Sequence, residues 1–269
     1  RELLHATADY AADFLDTLGE RPIRPESADV DELTRALGGP LPEEGTDPRA
    51  VVASLVENAA PGIVGMPSGR FFGFVIGGAL PSALAADWLT STWDQNSGLY
   101  AAGPAAAVVE EVCRGWLAEL LGLPADVSVA YVTGCQMAHV TALAAARHHV
   151  LAQAGWNLPE KGLAGSPPIR VVVGAKRHVT VDRALRLLGI GAESLEVVPV
   201  DNHGRMRVDE LHLGDGPTIV CGQAGEVNTG AFDDLEAIAD AAAESGAWFH
   251  IDGAFGLWAA ATPRLRHLL

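Results

Sequence analysis

The run IRVVVGA at residues 169–175 is short, apolar and rich in β-branched residues, and two prolines precede it. Such a run predicts a buried β-strand. Similar runs lie on both sides of it, namely SVAYVT at 128–133, LEVVPV at 195–200, PTIVCGQ at 217–223 and AWFHID at 247–252. Helical spacing of apolar residues appears between them at 137–150, 180–188 and 233–244. Short strands interleaved with helices predict an α/β fold with a largely parallel sheet and helical crossovers.

The N-terminal part of the chain has a helical pattern instead. Helices are predicted at residues 1–18, from Asp47 onward, and at 81–93 and 104–121. The glycine- and proline-rich piece at 61–81 has turn chemistry at both ends and predicts a structured loop. We therefore expect a helical N-terminal segment at 1–80 and a large domain at 81–269.

The composition excludes several classes of protein. Apolar residues make up 49% of the chain and charged residues 19%, which is typical of a globular protein. The net charge of −16 has no basic cluster to offset it, so we expect neither a nucleic acid nor an anionic membrane as a partner. No apolar run reaches the length of a membrane span, and the acidic N-terminus does not resemble a signal peptide. Three cysteines without CxxC spacing favour a reducing compartment, and we expect a cytoplasmic protein.

The first candidate site is the sequence TGCQ at 133–136, which follows a predicted strand and opens a helix. Ligands of doubly wound sheets bind at the carboxyl ends of strands. Free backbone N–H groups at the start of a helix suit a phosphate, and Gly134 allows a close approach. Gly134, Cys135 and Gln136 are therefore candidate anion-binding residues. The alternatives are an ordinary turn without a ligand and a nucleophilic Cys135 at a helix N-terminus.

Polar side chains also follow two other predicted strands. His178 comes after the strand at 169–175 and could stack on a flat ring or transfer a proton, although a structural or exposed histidine explains it as well. Asn228 and Thr229 follow the strand at 217–223 and could hydrogen-bond a ligand. A polar turn with a helix cap is the alternative for this pair.

Asp252 ends the last apolar strand, within the stretch WFHIDGAFG at 248–256. A carboxylate there is costly unless a positive or hydrogen-bonding group meets it. His250 and Asp252 share a strand face and could offer two metal ligands, but no other cluster with ligand spacing joins them, so no metal is expected. The other partner is a protonated heteroaromatic nitrogen, and the small Ala254 would leave room for a flat ring.

In order and spacing, these stretches resemble the pyridoxal 5'-phosphate (PLP) enzymes of fold type I, and most closely the group II amino-acid decarboxylases. The matching motifs are MPSGRFFGF at 66–74, TGCQMAH at 133–139, AKRHVTVDRALRLLGIG at 175–191, AGEVNTGAFDDLEAIA at 224–239 and HIDGAFG at 250–256. The resemblance implies a PLP-dependent transferase-like large domain, PLP as the cofactor, an amino acid as the substrate and a homodimer.

The resemblance also implies which residues contact the cofactor, with His178 and Asp252 as the catalytic pair. The implied contacts are Gly134, Cys135 and Gln136 at the phosphate, His178 on the face of the pyridine ring, Asn228 (or its neighbour Val227 or Thr229) at the ring hydroxyl, Asp252 at the ring nitrogen and Ala254 against the ring. A carboxylate beside the ring nitrogen favours its protonation, which makes the cofactor a better electron sink.

Two features depart from the family's pattern. Cys135 and Gln136 stand where the phosphate turn usually has a serine and a glutamate, so backbone N–H groups would make the contact. The family's Schiff-base lysine follows the aspartate by a few tens of residues, whereas the only lysines here are Lys161 and Lys176. We therefore expect a fragment or split chain that lacks this lysine and the C-terminal small domain, and that is inactive alone.

Decarboxylation of an α-amino acid is the activity that the resemblance implies. A PLP-dependent aminotransferase, another fold-type-I lyase and a lysine-less non-catalytic subunit are alternatives. A cysteine-dependent hydrolase that uses Cys135 with His178 is a further one. No basic residue marks a site for a second carboxylate, so acidic and aromatic substrates both remain open.

Overall fold

A computed structural model describes the backbone of residues 1–269 and all side chains except that of Ala192. The chain divides into two compact units, Arg1–Asp94 and Gln95–Leu269. The helix at 81–93, which the sequence analysis assigns to the large domain, falls in the N-terminal unit. The domain boundary after residue 80 stays a prediction.

The N-terminal unit consists of helices and turns. Its helices are α1 (Glu2–Thr17), α2 (Val30–Leu37), α3 (Pro48–Ala59) and α4 (Pro81–Trp93), with a 3₁₀ turn at Ala60–Gly62. The side chains of Asp29 and Asp47 each accept two backbone N–H groups at the starts of α2 and α3. Such caps satisfy donors that have no partner inside the helix. The stretch between α3 and α4 has no other regular element, as predicted.

The second unit contains all four strands of the described chain. Its helices are α5 (Pro104–Leu121), α6 (Cys135–Gln153), α7 (Leu158–Lys161), α8 (Val179–Leu187) and α9 (Leu235–Ser245). Its strands are β1 (Arg170–Gly174), β2 (Leu195–Val198), β3 (Thr218–Gln223) and β4 (Trp248–Asp252). Short 3₁₀ turns lie at Ala192–Ser194, Val208–Glu210, Leu257–Ala261 and Arg266–Leu268. Gly122, with a φ of 69°, ends α5 in the left-handed conformation that glycine adopts without strain.

The four strands form one parallel sheet in the order β2-β1-β3-β4. The register pairs Val171 of β1 with Leu195 of β2 and with Ile219 of β3. Gln223 and Asp252, the last residues of β3 and β4, are also paired. The predicted α/β fold, a parallel sheet with flanking helices, is confirmed.

The two central strands, β1 and β3, bury both faces because their side chains alternate between two cores. Val171 and Val173 pack with apolar residues of α6 and α8. Val172, which lies between them in β1, packs on the opposite face with residues that include Ile238 of α9. Each fully buried aliphatic side chain of this kind contributes about 1.5–3 kcal/mol. Two apolar faces explain why the strands lack the polar alternation of a half-exposed sheet.

One predicted strand is wrong. Residues 128–133, SVAYVT, have no regular structure, and Tyr131 and Val132 are exposed. A strand needs a neighbour for its backbone N–H and C=O groups, and no described strand pairs with this segment. The residues TGCQ therefore follow an irregular segment, and α6 begins directly at Cys135, two residues before the predicted start.

The connections place a topological switch point between β1 and β3. After β1 the chain passes through α8 to β2 on one side, and after β3 it passes through α9 to β4 on the other. The packing above puts α8 and α9 on opposite faces of the sheet. In open parallel sheets, ligands bind where neighbouring strands diverge in this way, at the carboxyl edge.

No helix in the described part of the chain combines the length and the apolar character needed to cross a membrane.

Candidate functional site

Asp252 ends β4 at the carboxyl edge of the sheet and is only 8% exposed. Its backbone carbonyl accepts the N–H of Ala224 at 2.8 Å, which holds the strand end against the end of β3. Its Oδ1 accepts the backbone N–H of Ala254 at 3.1 Å. One oxygen of a nearly buried carboxylate is therefore hydrogen-bonded to the chain that follows it.

The other carboxylate oxygen faces a histidine that the sequence analysis missed. His139 Nε2 lies 3.5 Å from Asp252 Oδ2 and makes no hydrogen bond with the described residues. Burial alone would raise the pKa of Asp252, but His139 and the N–H of Ala254 bring that pKa below its ordinary value. The carboxylate is therefore held in its charged form at the edge of the sheet.

A second buried histidine fixes the orientation of the first. His250 Nε2 and His139 Nδ1 are 2.9 Å apart, and both residues are buried. His250 lies two residues before Asp252, so the strand alternation puts both side chains on the same face. Burial and the neighbouring His139 lower the pKa of His250 to about 4, so its ring is neutral near pH 7. The sequence marks His250 by its place on the same strand face as Asp252, whereas His139 stands out only as a histidine near the start of α6.

The start of α6 provides free hydrogen-bond donors. Gly134 precedes the helix with a φ of 124° and a ψ of 175°, and no side chain caps the helix. Among the described residues, no acceptor lies opposite the backbone N–H groups of Cys135 and Gln136. The side chain of Gln136 donates to the Thr180 carbonyl at 3.2 Å and so ties α6 to α8. The backbone rather than the Gln136 amide is available to an anion here.

Cys135 lies next to this carboxylate. Cys135, His139 and Asp252 each have one potential metal-ligand atom in this cluster. These three atoms all lie within 4.8 Å of one another. Partial burial and the charge of Asp252 raise the pKa of the Cys135 thiol. A cysteine nucleophile needs the opposite shift, and the structure gives the hydrolase alternative no support.

His178 caps α8, which starts shortly after β1. Its Nδ1 lies 2.8 Å from Thr180 Oγ1 and accepts the Thr180 N–H at 3.3 Å. The side chain is exposed and therefore accessible to a ligand. The local role of His178 as a cap is clear, and its role towards a ligand stays a prediction.

Asn228 lies in a loop that Glu226 organises. The Glu226 carboxylate is 3% exposed and accepts the N–H of Asn228 at 2.9 Å, the Asn228 amide at 2.6 Å and the N–H of Thr229 at 2.8 Å. Burial would raise the pKa of Glu226, and these hydrogen bonds bring it below its ordinary value. The amide nitrogen of Asn228 is thus engaged by Glu226, a residue that the sequence analysis did not single out.

A small cleft opens at the switch point. It is lined by residues from the ends of three strands and from the loops above them: Gly174, Lys176, Arg177, Val181, Val200, Gly204, Cys221, Gly222, Gln223, Asp233 and Asp252. Lys176 and Asp252 thus share a cleft. The other lysine, Lys161, lies over the ring of Trp156, with 4.9 Å from Nζ to the ring centroid.

The fold and these strand-end residues define a class, an α/β protein with a ligand site at the carboxyl edge of its parallel sheet. Residues 32–269 match the family model for the pyridoxal-dependent decarboxylase conserved domain. The chain belongs to this family, and the resemblance inferred from the sequence motifs is confirmed.

Individual relatives agree with the family match. The chain is 30% identical to an aromatic-L-amino-acid decarboxylase of Bacillus atrophaeus over 95% of its own length and 52% of the relative. It is 29% identical to a glutamate decarboxylase of Drosophila melanogaster over 95% of its length and 51% of the relative. The chain spans about half the length of these curated relatives.

Solved structures share the fold. A crystal structure of Oryza sativa TDC with PLP and tryptamine matches with a TM-score of 0.87 and 25% identity, over 100% of this chain and 60% of that one. Mouse CSAD in its apo form matches with a TM-score of 0.88 and 24% identity, over 100% of this chain and 57% of that one. The latter likeness is evidence of the fold alone.

Proposed function

We propose that this chain supplies the PLP-binding large domain of an amino-acid decarboxylase. The observation that carries the proposal is the buried, charged Asp252 at the carboxyl edge of the sheet, close to the uncapped start of α6. An anionic side chain and a set of free N–H groups match the two ends of PLP, a basic ring nitrogen and a phosphate. Membership of the pyridoxal-dependent decarboxylase family supports the same cofactor.

The donor set fits the cofactor at each end. The backbone N–H groups of Cys135 and Gln136 would bind the phosphate, and Gly134 has no side chain to obstruct it. Asp252 would accept a hydrogen bond from the N–H of the pyridinium ring, and the buried His139 would keep that carboxylate oriented. The exposed Ala254 is small enough to lie against a flat ring.

Two further residues are proposed to contact the cofactor. His178 would stack on the ring, since its exposed side chain lies at the start of α8 just beyond β1. Asn228 would face the ring hydroxyl, with Glu226 holding its amide in place. His178 and Asp252 are the proposed catalytic residues of the set.

When bound, PLP accepts the electrons of a bond broken at the substrate α-carbon. The residues of this chain would hold and orient it, and Asp252 would favour protonation of the ring nitrogen, which increases the electron demand of the ring. Relatives that act on aromatic amino acids, glutamate and cysteine sulfinic acid support an α-amino acid as the substrate.

We also propose that the chain by itself binds PLP without a covalent link and does not turn over. Lys161 packs over Trp156, which leaves Lys176 as the single lysine at the candidate site. Lys176 follows β1 rather than the strand that carries Asp252, so its sequence context differs from that of the family's Schiff-base lysine.

Assembly and location complete the proposal. Several apolar side chains of α5 are exposed along one helix face: Val108, Val109, Val112 and Trp116. A second copy of the protein would cover such a face, which supports a homodimer. The three cysteines are free, which supports a reducing compartment such as the cytoplasm.

The test is a PLP titration of the purified protein, followed by assays with tryptophan, glutamate and cysteine sulfinate. We expect bound-cofactor absorbance that borohydride does not convert into a covalent adduct. In the complete enzyme, release of carbon dioxide from one of these amino acids is expected. Formation of a keto acid instead would indicate an aminotransferase, and failure to bind PLP would overturn the proposal.

A further inference from the structure

The group formed by Cys135, His139 and Asp252 has a feature that an ordinary buried cluster lacks. His139 is 3% exposed, and its Nε2 has no hydrogen-bond partner among the described residues. This nitrogen points to the carboxylate of Asp252 at 3.5 Å, and the Cys135 sulfur lies beside both. A buried nitrogen that makes no hydrogen bond is costly, and this one faces a carboxylate and a thiol that are both potential metal ligands.

We propose that Cys135, His139 and Asp252 form a Zn²⁺ site in the PLP-free protein. From the sequence alone no metal is expected, because only His250 and Asp252 fall together, on the last strand. The fold adds Cys135 and His139, which lie four residues apart on one face of α6. This spacing places two ligands over one ion, as it does in helical zinc motifs.

The distances suit a tetrahedral ion. Two nitrogen or oxygen ligands of a tetrahedral zinc ion are roughly 3.3–3.6 Å apart, given metal–ligand distances of about 2.0–2.2 Å. The observed 3.5 Å between His139 Nε2 and Asp252 Oδ2 falls within this range. The remaining separations, all within 4.8 Å, require a shift of the exposed Cys135 side chain towards the ion.

The surroundings orient the histidine for this role. With the metal on Nε2, Nδ1 of His139 carries the ring proton and donates it to His250 Nε2, 2.9 Å away. Such a partner behind a metal-binding histidine fixes its tautomer and its ring orientation. Asp252 is held in turn by the N–H of Ala254.

The donor set favours zinc over harder cations. One thiolate, one imidazole and one carboxylate suit a borderline-soft ion, whereas Mg²⁺ and Ca²⁺ prefer oxygen ligands alone. A thiolate and a carboxylate together would neutralise a divalent charge, which offsets the cost of burying the ion. Three protein ligands would leave one position of a four-coordinate ion for a water molecule.

The site shares Asp252 and the start of α6 with the proposed cofactor site, so Zn²⁺ and PLP are expected to exclude each other. Only this exclusion rests on the proposed function. The zinc site itself rests on the three side chains and is tested without PLP.

The experiment uses the purified protein after removal of metals and PLP. Alkylation with iodoacetamide is followed by mass spectrometry at each cysteine, with and without one equivalent of Zn²⁺. We expect zinc to slow alkylation of Cys135 at least tenfold and to leave that of Cys113 unchanged. Equal rates at Cys135 with and without zinc would overturn the site. This comparison needs no variant and so does not depend on the folding of one.

Substitutions then assign the ligands, with Co²⁺ as a spectroscopic probe. A thiolate-to-cobalt charge-transfer band is expected in the wild-type protein and is expected to vanish in Cys135→Ser. His139→Gln and Asp252→Asn are expected to weaken cobalt binding at least tenfold, since loss of a partner that only orients a metal ligand already costs about 10–100-fold. Cys113→Ser and the exposed His148→Gln are matched controls, and loss of the band in Cys113→Ser instead would overturn the assignment.

A competition experiment separates the two proposals. PLP is expected to release Zn²⁺ from the zinc-loaded protein, as measured by a chromogenic zinc chelator in solution. Zinc that PLP does not release, together with normal PLP binding, would leave the zinc site standing and overturn the shared location. Zinc protection without any PLP binding would overturn the proposed function alone.

Discussion

His139 Nδ1 and His250 Nε2 lie 2.9 Å apart inside the second unit and join the first turns of α6 to the last strand of the sheet. A hydrogen bond between two imidazoles needs one ring nitrogen to carry a proton and the other to carry a lone pair. If His250 Nε2 gains a proton, it can no longer accept a hydrogen bond from His139 Nδ1. The orientation of His139 therefore depends on the protonation state of His250. Because His139 also faces Asp252, three buried titratable groups form one chain that ends at the carboxyl edge of the sheet.

The low pKa of His250 predicts that the free energy of unfolding of the protein decreases in acid. The pKa of His250 falls from 6.5 in the unfolded chain to about 4 in the folded protein. Between these values the unfolded state binds more protons, so the free energy of unfolding rises with pH. The contribution of His250 to the free energy of unfolding is fully present above its pKa in the unfolded chain. This contribution, about 3 kcal/mol in total, is lost as the pH falls towards 4. Urea denaturation at several pH values in this window measures it.

The variant His250→Gln is expected to lack that part of the pH dependence, because a neutral amide does not titrate. His148→Gln, an exposed change on α6, is expected to keep the wild-type slope. A slope in His250→Gln as steep as in the wild type would show that another group is responsible.

The backbone conformation at Gly134 predicts that replacing this glycine with a residue that has a side chain lowers the free energy of unfolding. Its φ of 124° and ψ of 175° lie in a region that is essentially restricted to glycine, and an added Cβ would meet no heavy atom within 4 Å. Gly134→Ala is therefore expected to lower the free energy of unfolding by about 1–3 kcal/mol through backbone strain alone. Urea denaturation measures the difference.

Gly115 provides the matched control. It lies inside α5, and its added Cβ also meets nothing within 4 Å. Gly115→Ala is expected to be neutral or stabilising by up to about 1 kcal/mol, since alanine is the better helix former. Equal effects of the two substitutions would contradict the strain at Gly134.

In the loop around Asn228, we expect substitution of Glu226 to destabilise the protein more than substitution of Asn228, although the sequence drew attention only to Asn228. Glu226 accepts three hydrogen bonds in this loop, whereas the Asn228 side chain takes part in one of them. Glu226→Ala is expected to cost about 2–4 kcal/mol, because each hydrogen bond to a charged group contributes about 1.5–3 kcal/mol and part of this is recovered from water. Asn228→Ala is expected to cost less than half as much.

Amide hydrogen exchange at Thr229 provides the measurement. Its N–H is held by Glu226 at 2.8 Å, so exchange is expected to accelerate in Glu226→Ala and to change little in Asn228→Ala. The same acceleration in both variants would mean that Asn228 rather than Glu226 holds the loop.

The sequence predicted most of the fold because local signals mark its elements. Pro81 and Pro104 stand at the first positions of their helices, and Gly122 ends α5. The strand predicted at 128–133 failed because β-propensity does not supply a pairing partner. Asp252 and the start of α6 were predicted as site positions from their place after apolar runs, and the structure brings them together; their roles towards a ligand stay predictions.

The residues that organise the site were not predicted, for a physical reason. His139 faces His250 because β4 packs against α6, and this contact joins segments more than a hundred residues apart. Glu226 resembles a surface loop residue until its loop folds back and hydrogen-bonds the carboxylate. Long-range packing decides both environments, and local periodicity carries no information about it.

The negative charge of Asp252 is expected to contribute to the affinity for PLP. Its carboxylate is charged and nearly buried, so a protonated ring nitrogen would gain a charge-assisted hydrogen bond there. Asp252→Asn is expected to weaken PLP binding by about 10–100-fold, which corresponds to about 1.5–3 kcal/mol. Equilibrium dialysis of the purified protein measures the affinity without any need for turnover. Asp240→Asn, an exposed change of the same charge on α9, is the control and is expected to bind PLP normally.

An analogue of PLP with carbon in place of the ring nitrogen isolates the interaction. It keeps the phosphate and the shape of the cofactor but cannot donate a proton to Asp252. Wild type and Asp252→Asn are expected to bind this analogue with similar affinity, since the phosphate contacts at Cys135 and Gln136 are the same in both. If Asp252→Asn weakened binding of the analogue as much as binding of PLP, the substitution would have acted through the shape of the pocket. Asp252 would then not be the partner of the ring nitrogen.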